Sequence, residues 1–283
     1  PRLCSSAASD VYKRQGIGDE SFLASKNIPC VSNLKGVGEN LQDHIDYITS
    51  HVVNSWELIG SPIKSLKFTL RAPFELLNYL LTSKGLFSSN LAEGGAFIKS
   101  EEHLEIPDLQ LHFTVAMVED HGRADIWGNG FSCHVCLLRP KSVGTVKIAS
   151  KDPNDDPIID PNFLSHEDDM KTLIKGYKKM MEIMNTEPLS KFNNIRNPIN
   201  INDDKAIETA IRTRSDTIYH PVGTCKMGID DMAVVDNQLR VRGVKNLRVV
   251  DASIMPTLIG GNTNAPAMMI AEKAADLIKQ NAS

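Results

Sequence analysis

The chain has 283 residues, of which 41% are hydrophobic and 23% charged, and its formal net charge is -4. This composition supports a packed core and excludes intrinsic disorder as the default state, and the slight acidity argues against a nucleic-acid binder. No apolar run approaches the length of a bilayer-crossing helix, so no transmembrane segment is expected, and residues 1–10 lack the basic-then-apolar layout of a secretory signal.

Residues 1–15 are unlike the rest of the chain. The run Ser5-Ser6-Ala7-Ala8-Ser9-Asp10-Val11-Tyr12-Lys13-Arg14-Gln15 has the look of a translated cloning or sequencing adapter joined to a genuine fragment; a divergent tail is the plainer alternative. Next comes Gly36-Val37-Gly38-Glu39-Asn40-Leu41-Gln42-Asp43-His44, where two glycines permit a tight backbone and Asn40, Asp43 and His44 supply side-chain hydrogen bonds. It is no dinucleotide fingerprint, because no third glycine follows and no helix opens from it. His44 is read as a satisfied structural histidine.

Leu66, Leu70, Phe74, Leu77 and Leu80 or Leu81 form a helical stripe within residues 62–82, interrupted around Pro73 and meant for a core or an interface. Residues 109–118, 131–138 and 143–149 read as strands of one antiparallel sheet, followed by a turn-rich loop over 152–161. Ser165 is placed as the cap of a helix with Asp168 at its third position, carrying Met170, Leu173, Ile174, Tyr177, Met180, Met181 and Met184 into the core. Asn202-Asp203-Asp204 opens a helix over 205–214, and residues 247–250 read as a short buried strand. Pro266 suits the first turn of a last helix over 267–279, with Met269, Ile270, Ala274, Leu277 and Ile278 available for burial.

The five cysteines, Cys4, Cys30, Cys133, Cys136 and Cys225, are odd in number and scattered, which disfavours a disulfide framework. Cys133-His134-Val135-Cys136 invites a metal reading. In a strand, however, Cys133 and Cys136 point to opposite faces, and no second ligand pair is near in sequence. No metal is expected. Strands followed by helices, without βαβ alternation, indicate an α+β protein with an antiparallel sheet covered by helices.

The chemistry concentrates near the C-terminus. Tyr219-His220-Pro221-Val222-Gly223-Thr224-Cys225-Lys226-Met227-Gly228 offers an imidazole on a loop stiffened by Pro221. Gly260-Gly261-Asn262-Thr263-Asn264-Ala265-Pro266 offers carboxamides leading into a helix. An imidazole titrates near neutral pH and can take a hydroxyl proton, while asparagine can hold an oxygen but takes up no proton. The bland alternatives are a buried structural histidine and asparagines that merely cap the helix. Lys226 reads as an anion ligand or as a salt-bridged surface lysine.

Together with Val249-Val250-Asp251-Ala252-Ser253, the segment 217–279 resembles the C-terminal signature of the glucose–methanol–choline (GMC) flavin oxidoreductases. Gly16-Ile17-Gly18-Asp19-Glu20 resembles the tail of a second signature, with Gln15 in place of its serine. The resemblance implies FAD as cofactor and an isoalloxazine ring approached closely at Gly223. His220 would be the general base and Asn262 the partner of the substrate oxygen, with Asn264 its competitor. Asp251, Ala252, Asn262, Thr263, Asn264 and Val222 would contact the cofactor, and the 36–44 loop would pack near the flavin and the substrate entrance.

The family's Gly-x-Gly-x-x-Gly turn for the ADP moiety has no counterpart among these residues. The resemblance therefore covers the latter half of such a protein. It divides the chain into a non-family segment 1–15, a remnant of the FAD-binding domain over 16–45, a substrate-binding domain over 46–216, and a return to a truncated, Rossmann-like FAD-binding domain over 217–283. Apolar surface left bare by the truncation would make the piece poorly soluble.

Leu91-Ala92-Glu93-Gly94-Gly95-Ala96-Phe97 and Pro107-Asp108-Leu109-Gln110-Leu111-His112-Phe113 resemble the bacterial alcohol and choline dehydrogenase branch. The implied reaction is oxidation of a small-molecule primary alcohol to an aldehyde, with oxygen or a membrane quinone as electron acceptor. The setting is cytoplasmic or peripheral to the inner membrane. A non-redox flavin lyase and a noncatalytic binding fragment remain open at this point.

Overall fold

A computed structural model of the chain describes residues 7–53, 66–118, 128–187, 189–192 and 194–282. Positions 1–6, residues 62–65 of the expected helix and the side chain of Leu66 lie outside the described residues. In chain order the elements begin with α1 (Ala7–Arg14), β1 (Ile17–Gly18), α2 (Glu20–Ser25), β2 (Ser32–Asn33) and β3 (Ile45–Val52). Then follow α3 (Leu66–Thr82), β4 (Gly94–Ile98), β5 (Leu109–Thr114), β6 (Gly130–Leu137), β7 (Thr145–Lys147) and β8 (Ile158–Asp160). The chain closes with α4 (Glu167–Met184), α5 (Asp204–Arg214), β9 (Asp216–Thr217) and α6 (Asn264–Ala282). The protein is thus a mixed α and β fold in which the β3–β6, β4–β5, β5–β6 and β7–β8 pairs are antiparallel and the short β1–β2 pair is parallel.

Two compact units emerge. One is built from Pro1–His44, Leu138–Asp169 and Thr217–Ser283, the other from Ile45–Leu137 and Met170–Asp216. The sequence keeps 46–216 together by resemblance; the structure instead groups Leu138–Asp169 with the chain's two ends.

The second unit is organised by a sheet of order β4-β5-β6-β3-β9. Side chains alternate across a strand, so each strand contributes to two unlike faces. On one face Tyr47 meets Tyr177 of α4 edge-on with ring centroids 5.8 Å apart, and the Cys133 thiol lies 3.5 Å from the Met184 sulfur. Gly176 permits this approach, because a Cβ there would sit 2.7 Å from Val135 and 3.0 Å from Leu109. The methionines expected in the core are there: Met180 and Met184 are fully buried. The other face is polar. Asp46 and Gln110 both stand opposite Cys136 in register, and His112 stands opposite His134.

The first unit has little regular structure. Its core is made of Val222, Cys225, Val234, Val235, Leu239, Val241, Val249, Ile254, Ile270, Ala274 and Leu277, among others. Most of these sit on loops whose backbone groups pair with one another over long sequence distances, such as Cys225 N to Ser253 O at 2.9 Å and Met227 N to Ile254 O at 2.7 Å.

Several local expectations change. Residues 143–149 do not join the large sheet; β7 pairs with β8 in a separate two-stranded ribbon, and β8 lies inside the expected turn-rich loop. Period-two patterning identifies a strand but not its partner. The cap of α4 is His166, one residue past Ser165, and its Nδ1 accepts from Asp168 N at 3.2 Å. Residues 247–250 form one isolated bridge, Arg248 with Arg240, instead of a strand, although Val249 is buried as expected. The α6 helix starts three residues early, with Pro266 still inside its first turn. Along α6, Ile270, Ala274 and Leu277 are buried, while Met269 and Ile278 are exposed. The helix α3 runs through Pro73 without the expected interruption, and Leu70, Phe74, Leu77, Leu80 and Leu81 are all exposed, so the stripe is not part of a core. The helix over 205–214 is close to expectation, with Asp203 accepting from Ala206 N at 2.9 Å.

Among the described residues no helix is long and apolar enough to cross a membrane.

Candidate active site

The site lies wholly within the first unit, and the 36–44 loop builds it. Asn40 adopts a left-handed backbone (φ 61°) and donates its side-chain amide to Gly223 O and Pro256 O, each at 3.2 Å. Gln42 exchanges backbone hydrogen bonds with Val222 at 3.1 and 2.9 Å. Its side chain donates to Asn40 Oδ1 and Pro256 O and accepts from Leu258 N. Asp43 accepts from the His220 amide at 2.9 Å and from the Thr217 hydroxyl. Between those two contacts Tyr219 is held at φ 67°, a left-handed conformation that is costly for an aromatic residue. The Tyr219 N–H, donating to Thr217 Oγ1 at 2.8 Å, helps fix it. Strain and clamp together aim the side chain of the next residue, His220.

His220 is half-buried. Its Nδ1 lies 2.9 Å from Nδ1 of His44, and its Nε2 lies 3.4 Å from Nδ2 of the exposed Asn262. His44 is fully buried, as a structural histidine should be, with Nε2 facing Leu138 O at 3.2 Å and Ile259 O at 3.0 Å. Burial, followed by the neighbouring His220, pushes its pKa down to about 4, so it is neutral at physiological pH.

The structure brings His220 and Asn262 together across 42 residues of sequence. Around them, Thr263 precedes α6 and its carbonyl accepts from Ala267 N at 3.0 Å, so Thr263, not either asparagine, occupies the cap position. Asn264 is the helix's first residue and is exposed. Asp251 caps the short 3-10 turn Ala252–Ile254, accepting from Ser253 N at 2.7 Å, and Ala252 is buried. Val222 is packed in the core with its amide on Gln42 O, so neither its side chain nor its N–H is left for a ligand. Gly223 (φ 93°) is a glycine because a Cβ there would lie 2.3 Å from the Asn40 carbonyl oxygen; the close approach is to the chain's own backbone. Lys226 is ion-paired to Asp230 at 2.9 Å.

The donors around the start of α6 are neutral: the side chains of Asn262, Thr263 and Asn264, and first-turn amides that lack helical partners. Such a set, at the positive end of a 19-residue helix, suits an electron-rich, partly anionic ring such as a reduced isoalloxazine. The residues present therefore fit the flavin part of FAD. Sequence reasoning finds His220 and Asn262 but misses the mutual support of Asn40, Gln42, Asp43 and His44. The only signal available for it is the density of hydrogen-bonding side chains in that short loop.

Residues 140–271, which carry both His220 and Asn262, match the family model described as GMC oxidoreductase. The chain is similar to the alcohol dehydrogenase [acceptor] of Pseudomonas putida, at 44% identity over 266 residues, 93% of this chain and 48% of that protein. It is also similar to human mitochondrial choline dehydrogenase, at 41% identity over 93% of this chain and 44% of that protein. In fold it resembles the formate oxidase of Aspergillus oryzae, with a TM-score of 0.83 and 23% identity over 95% of this chain and 52% of that one. The chain spans about half the length of the curated relatives it matches.

Proposed function

We propose that this chain is the C-terminal part of an FAD-dependent enzyme that oxidises a primary alcohol to an aldehyde. Bound FAD would supply the hydride acceptor. His220 takes the hydroxyl proton on Nε2, and Asn262 holds the substrate oxygen through its amide N–H. The observation that carries this reading is the facing pair itself: His220 Nε2 and Asn262 Nδ2, 3.4 Å apart, beside a loop whose Asn40, Gln42, Asp43 and His44 side chains are hydrogen-bonded. A base and an oxygen-holding donor, both already oriented, are what removal of a hydroxyl proton needs.

Asn262, Thr263, Asn264 and the first turn of α6 would hold the flavin, with Asp251 and Ala252 shaping the adjoining turn. The first unit, with its 217–283 segment, is read as belonging to the FAD-binding domain and the second as the substrate domain. Similarity to an alcohol dehydrogenase at 44% identity favours a simple primary alcohol as substrate, with choline the next arm to try.

The test is anaerobic mixing of the full-length, FAD-loaded protein with aliphatic primary alcohols and with choline. Loss of the oxidised flavin absorbance with formation of the aldehyde is the expected result. A flavin that stays oxidised with all of them would overturn the reading in favour of a non-redox or purely binding role.

A further inference from the structure

Two imidazole nitrogens 2.9 Å apart cannot both be donors or both be acceptors, so the contact between His44 Nδ1 and His220 Nδ1 has a direction. That direction is fixed from the far side of His44. Its Nε2 faces two carbonyl oxygens, Leu138 O at 3.2 Å and Ile259 O at 3.0 Å, and carbonyl oxygens only accept. His44 Nε2 must therefore carry a hydrogen; the reverse tautomer would leave a buried lone pair against two others. His44 is fully buried and neutral, so it has one proton to place, and its Nδ1 is left as an acceptor. His220 then donates from Nδ1, and its Nε2 holds the lone pair. Asn262 Nδ2, a donor, faces that same Nε2. Every link agrees in sense: Asn262 donates to His220, His220 to His44, and His44 to the backbone.

We infer that His44 is a positioning residue that selects the His220 tautomer with a proton-accepting Nε2 directed toward Asn262. The inference rests on the reading of His220 as the base. It adds that the base is set by two backbone carbonyls of the 138 and 259 loops, acting through a second histidine. The contact with His44 serves both charge states: when His220 takes a proton on Nε2, its Nδ1–H still donates to His44, and only the Asn262 donor has to turn from Nε2 to another acceptor. His44 does not carry the proton onward, since its own Nε2 is already protonated and points at carbonyl oxygens.

The test uses the full-length, FAD-loaded protein labelled with [15N]histidine, with His220→Gln assigning the His220 signals. In the wild type, His220 is expected protonated at Nδ1 and bare at Nε2. His44→Leu removes the acceptor; a large share of His220 should then move to the Nε2–H form, with alcohol-driven flavin reduction slowed roughly 10- to 100-fold. His44→Asn restores an acceptor oxygen near the His220 Nδ1 position and should recover both the tautomer and most of the rate. A wild-type His220 protonated at Nε2 overturns the inference outright, even if the variants do not fold. So does a folded His44→Leu whose His220 tautomer is unchanged. The expected tautomers and their shift in His44→Leu, in a protein that reduces no flavin with any alcohol, would uphold the positioning role and reject the alcohol-oxidation reading instead.

Discussion

Among the described residues, two buried histidine–aspartate clusters differ in how completely they are satisfied. In the loop cluster, both oxygens of Asp43, both ring nitrogens of His44 and both of His220 have partners within the first unit. In the sheet cluster of the second unit, His134 Nδ1 is 2.7 Å from Asp46 Oδ2, yet Asp46 Oδ1, His134 Nε2, His112 Nε2 and Gln110 Oε1 are buried without a protein partner. Both clusters desolvate polar groups. Only the first gets back a hydrogen bond for each group and so acquires a defined direction of proton donation. A regular sheet fixes its backbone ladder and leaves side chains to find partners by register. The irregular loops reverse this, using side chains to replace the ladder they lack.

Breaking the loop cluster at its open end should have the largest effect. Asn262→Leu removes the donor facing His220 Nε2, and stopped-flow flavin reduction in the full-length protein should slow by about 100-fold or more. A change under about threefold would say that Asn262 holds no oxygen. Acid probes the closed end. His44 titrates near 4 in the folded chain against an ordinary value of 6.5, so unfolded chains bind the extra proton across that interval. The stability of the neutral form is full above pH 6.5 and declines as pH falls toward 4, by about 3 kcal/mol. Urea midpoints from pH 7 to 4 should show that fall, and His44→Asn should flatten it.

Lys13 extends the comparison to a buried cation. It is 2% exposed, donates to Val146 O at 2.6 Å, and its pKa is pushed down to about 8, first by burial. Unfolded chains keep the proton up to about 10.5, so the cost of burial is fully present below pH 8 and is relieved as pH rises beyond it. Lys13→Met should stabilise the protein by about 2 kcal/mol at pH 7, with the gain shrinking by pH 10 in chemical denaturation. The smallest effect belongs to the sheet: Gln110→Met, which removes an unpartnered buried oxygen, should raise stability by about 1 kcal/mol in the same assay. A loss of that size would mean the sheet cluster is satisfied in solution.

Legibility in the sequence divides along the same line. His220 and Asn262 are singled out by the family resemblance of their short contiguous motifs, and the fold brings the two side chains together. The helix opened by Asp203 and the methionines of α4 are legible from period and capping alone. The partner of His220 is not, since His44 lies 176 residues away and hydrogen-bond partners leave no trace in spacing. Gly223 reads as the approach to a flavin, when its immediate reason is the Asn40 carbonyl. The β7 strand is recognisable but its sheet is not, and of the two uses the α3 stripe suggests, core or interface, its exposure excludes the core. Lys13 belongs to a segment that reads as foreign, and nothing in the spacing of charges foretells its burial.

The central claim is that His220 accepts the alcohol proton, and single-turnover reduction of the full-length, FAD-loaded protein tests it most directly. With wild type and His220→Ala at equal flavin content, mixed anaerobically with the best alcohol, the variant should reduce its flavin at least about 100-fold more slowly. Reduction at the wild-type rate in His220→Ala would contradict the account and move the base elsewhere.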